Sequence, residues 1–184
     1  MKTARFFFHA GMLLALLATG LGGCAPAGSA DEPTTVIRKI RAQLDLPQLP
    51  LEEAGAGVMI NSPSGNEAVI NYRDRDGRIY SYDPALRQVI EIDARARLSV
   101  LSPDAAALSL EKLRARAKKF AAATVADFDA VAAGLRYEEG NKGDNYFFSW
   151  YPQNPSNTMM PPFLQIALYK TGELFAYYNT LALK

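Results

Sequence analysis

The sequence predicts an α+β fold, an antiparallel sheet with amphipathic helices on one face. Three observations carry this expectation. Two stretches, 36–46 and the region after Ser102, repeat apolar residues at helical spacing. Each is followed by short segments rich in β-branched and aromatic residues. Turn signals such as Asp76-Gly77 and Lys170-Thr171-Gly172 sit between those segments and mark hairpins.

The chain opens with Lys2 and Arg5, then an apolar stretch from Phe6 through Leu21, then Gly22, Gly23 and Cys24. A basic start, an apolar middle and a small-residue end make a secretory signal, expected over residues 1–23. The apolar part falls short of, or only just reaches, the roughly 20 residues of a membrane span. Residues 24–35 (CAPAGSADEPTT) are small, polar and proline-containing and read as a flexible tether. The globular part is expected at 36–184, with 36–100 and 101–184 as its two halves.

Val36, Ile37, Ile40, Leu44 and Leu46 give a helix stopped by Pro47. A loop is expected over 47–57. Strands follow at 58–61, 68–73, 78–82 and 88–93, the middle two joined at Asp76-Gly77. Ser102-Pro103-Asp104 reads as a helix start, with a capping serine and an early proline. In that helix Leu110, Leu113, Ala117 and Phe120 line one face, and basic residues occupy the rest. A short helical piece is expected over 126–133. Strands at 135–139 and 145–151 flank a turn at 140–144. A proline- and asparagine-rich loop covers 152–162, and a hairpin of 163–169 and 173–180 closes the chain. Residues 36–93 and 102–180 read as two αβββ units, with too little identity to establish a repeat.

Two resemblances bear on these residues. Leu21-Gly22-Gly23-Cys24 resembles the lipobox of bacterial lipoproteins. The resemblance implies cleavage before Cys24, lipid on its thiol, and a chain held on a membrane in the cell envelope. Ala25 resembles the residue following the cysteine in lipoproteins sorted to a Gram-negative outer membrane. More than one acyl chain is needed for stable anchoring. The second covers about 75 residues: LEKLRARAKKF, YFFSW and FLQIALYKTGELFAYYN are similar to the helix, aromatic strand and closing hairpin of the PepSY-like family. That likeness implies a binding or inhibitory module without catalytic residues.

Composition limits the chemistry. The only histidine is His9, and the only cysteine is Cys24. Cleavage and lipidation leave a domain with no imidazole and no free thiol. Nucleophilic triads, Cys/His zinc sites, haem ligation and disulfide exchange are thereby excluded. Beyond residue 23, basic and acidic residues stand at 18 and 19, so no positive field favours nucleic acid. No cofactor is expected.

Other candidates have simpler explanations. Residues 74–79 match the middle of a calcium loop, but Tyr72 and Asp83 would fill the outer ligand positions. A hairpin turn explains them better. Glu138, Glu139 and Asp144 surround a turn, the minimum for a carboxylate-dependent cell-wall hydrolase. Ser109 with Lys112, and Lys170-Thr171-Gly172, match two of three motifs of penicillin-binding proteins without the third.

The aromatics are uneven: eleven of 19 lie between Tyr137 and Tyr178. Alternation puts Phe148 and Trp150 on one strand face and Phe147 and Tyr151 on the other. Phe148, Trp150 and Tyr151, with Met159 and Met160 in the following loop, form the expected contact surface for an envelope protein or peptide. A structural accessory role in an envelope assembly is the alternative.

Overall fold

A computed structural model describes residues 32–59, 63, 66–98, 105–154 and 160–183. Its centre is an eight-stranded, wholly antiparallel sheet. The strands are β1 (Leu51–Met59), β2 (Glu67–Asp74), β3 (Ile79–Asp83), β4 (Gln88–Asp93), β5 (Leu135–Lys142), β6 (Asn145–Pro152), β7 (Leu164–Tyr169) and β8 (Leu174–Asn179). Their order across the sheet is β1-β2-β3-β4-β8-β7-β6-β5. The helices are α1 (Glu32–Gln43), α2 (Arg95–Leu98), α3 (Leu110–Thr124) and α4 (Phe128–Ala132). The α+β class expected from the sequence is thus present.

Helices α1 and α3 touch each other and lie on one face of the sheet, α1 over β3–β4 and α3 over β6–β7. That face holds the main core. Ile37, Ile40 and Leu44 from the α1 region, and Leu113, Ala117 and Phe120 from α3, pack on Tyr80, Ile92, Phe148, Leu164, Ile166 and Tyr177. The 3.6-residue spacing in the helices and the two-residue spacing in the strands meet at this layer. A smaller cluster of Met59, Val69, Ile90 and Leu183 forms on the opposite face, where the C-terminal tail folds over part of the β1–β4 half. The central β4–β8 pairing joins the two halves through Glu91–Tyr178, Ile92–Tyr177 and Asp93–Ala176.

Several boundaries differ from expectation, each for a local reason. α1 begins at Glu32, so residues 32–35 are helical instead of tether. Glu32 at the positive helix end, with Pro33 in the first turn, suits a helix start. β1 begins at Leu51, inside the expected loop, because LEEAGAGVM alternates nothing apolar that would announce a strand. It is held by pairing with β2. The expected helix start at Ser102-Pro103-Asp104 lies outside the described residues. α3 itself begins at Leu110, where the Ser109 hydroxyl caps it by accepting from the Lys112 N–H at 3.3 Å. Leu110, expected on the buried face, is 44% exposed at that first turn. α2 was not signalled by any periodicity.

The turns follow their residue types. Gly77 and Gly143 have φ of 82° and 60°, left-handed backbone that suits a residue without Cβ. The β5–β6 hairpin is tighter than the expected 140–144 turn, because Gly140–Lys142 continue β5.

Candidate functional site

Five half-buried aromatics stand on the helix-free face of the sheet. Register places Phe147, Ser149 and Tyr151 of β6 beside Ala167 and Gln165 of β7 and Phe163 just before it. Ala167 pairs with Ala176 of β8, and Gln165 with Tyr178. Tyr151 stacks on Phe163 with ring centroids 5.9 Å apart, and Phe163 meets Tyr178 at 6.0 Å. Phe147 and Phe175 form a separate edge-to-face pair at 6.1 Å. All five rings are half-buried. Between the pair and the row lie the small residues Ala167, Ala176 and Ser149, all buried. The Gln165 side-chain amide donates to Ser149 Oγ at 2.8 Å.

Glu91 stands opposite Tyr178 and next to the Asp93–Arg95 pair. Burial pushes its carboxyl above the usual carboxylate range, against a lowering by its hydrogen bond with Tyr178. Burial, together with the nearby Glu91, pushes the Tyr178 phenol up to about 12. The aromatic row therefore ends on a partly desolvated acid and phenol.

The residues expected at the contact surface divide. Phe148 and Trp150 are 1% and 3% exposed and belong to the core under the helical layer. Trp150 packs edge-on against Phe128 at 5.3 Å and against Tyr137 at 5.3 Å. The two side chains are covered because α3 and α4 lie over the β5–β7 side of the sheet. Phe148 is closed off and Trp150 reaches only the wall of a groove on the helical side, so on the helix-free face β6 presents Phe147 and Tyr151 instead. Tyr151 is on the helix-free face. Met160 is exposed, and Met159 and Cys24 lie outside the described residues. Phe163, Phe175 and Tyr178 were missed. Register alone brings them beside Tyr151, although strand alternation from Leu164 would have placed Phe163 on this face.

Trp150 also forms part of a groove of about 570 Å³ between α3, α4 and β5–β6. Phe128 and Tyr137 line it with Trp150, and Lys118 and Lys119 stand at its side. Lys118 lies over the Tyr137 ring at 5.9 Å, and Lys119 is paired with Asp45 at 2.9 Å.

The carboxylates singled out from the sequence are structural. Glu138 and Glu139 are successive residues of β5 and point to opposite faces. Glu139 accepts two bonds from Arg114, at 2.8 and 2.7 Å, and one from the Tyr137 hydroxyl at 2.8 Å. These bonds lower its carboxyl to about 2. Glu138 pairs with Arg136 at 3.0 Å, and Asp144 with Lys170 at 3.1 Å. A hydrolase needs one proton-holding and one ionised carboxyl facing a common space, and these three do not face one. Asp74, in the calcium-like segment, is buried and bonded to arginines. Among the described residues no group of three or more His, Cys, Asp or Glu is arranged to hold a metal ion. Ser109 is spent on its helix cap, and Lys170-Thr171-Gly172 forms the β7–β8 turn.

Among the described residues no helix is long and apolar enough to cross a membrane. No protein-family model matches the chain, and neither a curated protein nor a solved structure does.

Proposed function

We propose that this chain is a lipid-anchored envelope protein that works as a non-enzymatic binding module, engaging a protein or peptide on the helix-free face of its sheet. The observation that carries the reading is the half-buried aromatic row Tyr151–Phe163–Tyr178 beside the Phe147–Phe175 pair, on the sheet face opposite the main core. Half-buried aromatics on a rigid sheet give large contact area at low entropic cost, and such residues dominate binding energy at interfaces. The lipobox-like Leu21–Cys24 supports attachment at Cys24, and the likeness of the C-terminal half to PepSY-like domains supports binding over catalysis.

The strand order also supports reading the two halves as copies of one unit. Each half is a helix followed by a four-stranded meander, and the order reads the same from either edge. On this reading the unit is a helix and four strands, one strand more than the αβββ label and equal to the four segments expected in each half.

The test is recovery of partners with the full-length chain from membranes. Tyr151→Ala combined with Phe163→Ala should abolish specific partner recovery while thermal unfolding stays cooperative. Lys118→Ala, on the helical side, should leave recovery unchanged. Unaltered recovery with the double variant would overturn the proposal.

A further inference from the structure

We infer that the cavity between α1 and residues 48–51 binds an oxyanion, the phosphate or carboxylate group of a small ligand, on Arg38 and Arg41. Thr34, Arg38 and Arg41 stand four and three residues apart and so share one side of α1. Gln48, Leu49, Pro50 and Leu51 form the facing wall. The space between them is about 420 Å³, within the range of small-molecule sites. Two bonds tie the walls together. Gln48 Nε2 donates to Arg38 O at 3.2 Å, and Arg41 Nη1 donates to Leu49 O at 2.6 Å.

The donors in these walls set the charge of the ligand. Arg41 is 2% exposed. Its Nη2 donates to Asp74 at 3.3 Å, but its Nε–H is buried and has no partner among the described residues. Asp74 offers it nothing further, because that carboxylate also accepts from Arg78, Tyr80 and two backbone N–H groups. A buried guanidinium donor without a partner is costly, and in native proteins such a group is commonly completed by an ion or water. Arg38 is exposed and makes no ion pair among the described residues. Among the described residues no acidic side chain lines the cavity. Two neighbouring guanidinium groups repel each other, and an anion held by both removes that repulsion. Their planar forks match the paired oxygens of a carboxylate or phosphate.

The cavity is larger than a bare oxyanion. Leu49, Pro50 and Leu51 give the rest of the ligand an apolar wall. The site lies against α1, on the sheet face opposite the aromatic row, and does not depend on that row being a binding surface.

Titration of the full-length chain in neutral detergent tests the inference. Sodium phosphate and sodium acetate are the two probes, with ionic strength held constant by chloride. Calorimetry should show saturable binding of at least one of them, and the Arg41 Nε–H signal in ¹⁵N NMR should move with it. Saturation by phosphate alone assigns a phosphate-bearing ligand, and saturation by acetate alone a carboxylate. Arg38→Gln should weaken that binding about tenfold or more, the scale of hydrogen bonds to a charged group. Arg38→Lys, which keeps the charge and loses the fork, should fall between. Lys142→Gln, at the far edge of the sheet, should bind like the unsubstituted chain. Arg38 is exposed, so its variants should unfold at the unsubstituted temperature without added anion. No response to either anion beyond that to chloride would overturn the inference. So would equal binding by Arg38→Gln, or saturation that leaves the Arg41 Nε–H signal in place.

Discussion

Asp74 accepts five hydrogen bonds: one each from Arg41, Tyr80 and the Arg78 side chain on Oδ2, and two from backbone N–H groups of Asp76 and Arg78 on Oδ1. Its side chain is wholly buried, and Arg41 and Arg78 are nearly so. Arg41 lies over the Tyr80 ring at 4.6 Å and donates to Leu49 O at 2.6 Å, joining α1, the loop before β1 and the β2–β3 hairpin. Removing the one carboxylate common to both arginines strands buried charge. Asp74→Ala should therefore cost about 3–5 kcal/mol in denaturant unfolding; a loss below about 1 kcal/mol, the scale of an exposed pair, would contradict this. Glu91 makes the opposite case. Its carboxyl is raised by burial. Between the ordinary carboxylate value and the raised one, the folded chain holds a proton that the unfolded chain has released. Stability therefore falls as pH rises through that window. Glu91→Gln should raise Tm at neutral pH and flatten its decline as pH rises above the ordinary carboxylate range. A slope unchanged by the substitution would show that Glu91 does not titrate in this way. Neither role was legible in the sequence. Asp74 and Asp76 resembled metal ligands there, because spacing cannot show that Arg41, 33 residues away, shares the same carboxylate.

Elements were legible where period and turn chemistry agreed. β4 occupies the expected residues 88–93, and β2, β3, β6, β7 and β8 differ from expectation by a residue at either end. β1 was half-hidden because Ala54-Gly55-Ala56-Gly57 has neither alternation nor β-propensity. Its pairing with β2 overrides that weakness. α3 was legible in its centre and not at its start, since Ser102-Pro103 is a stronger start signal than Ser109 without proline. The observed cap predicts that Ser109→Ala costs about 1 kcal/mol in thermal or chemical unfolding. A change within about 0.5 kcal/mol, the usual range for exposed positions, would place the helix start elsewhere. The contact face was legible only in part. Alternation separated Phe147 and Tyr151 from Phe148 and Trp150, but it could not say which pair the helices cover. That depends on α3 and α4 packing over β5–β7.

At the scale of the whole molecule, a sheet with helices on one side has a face left over. The C-terminal tail closes part of it on the β1–β4 half, through Leu183 against Met59, Val69 and Ile90. The aromatic row runs from the other half to that cluster, against which Tyr178 packs. Attachment at Cys24 is the proposed point of contact with a membrane. Cys24→Ser should move the chain out of the membrane fraction without changing its unfolding transition. A variant that stays membrane-bound would contradict the anchor. The central claim, that the helix-free face meets a partner, is tested most directly by photo-crosslinking in intact cells. A photoreactive phenylalanine analogue at Tyr151 should yield a discrete adduct of higher mass, and the same analogue at Lys118 on the helical side should not. Equal adducts at both positions, or none at Tyr151, would contradict it.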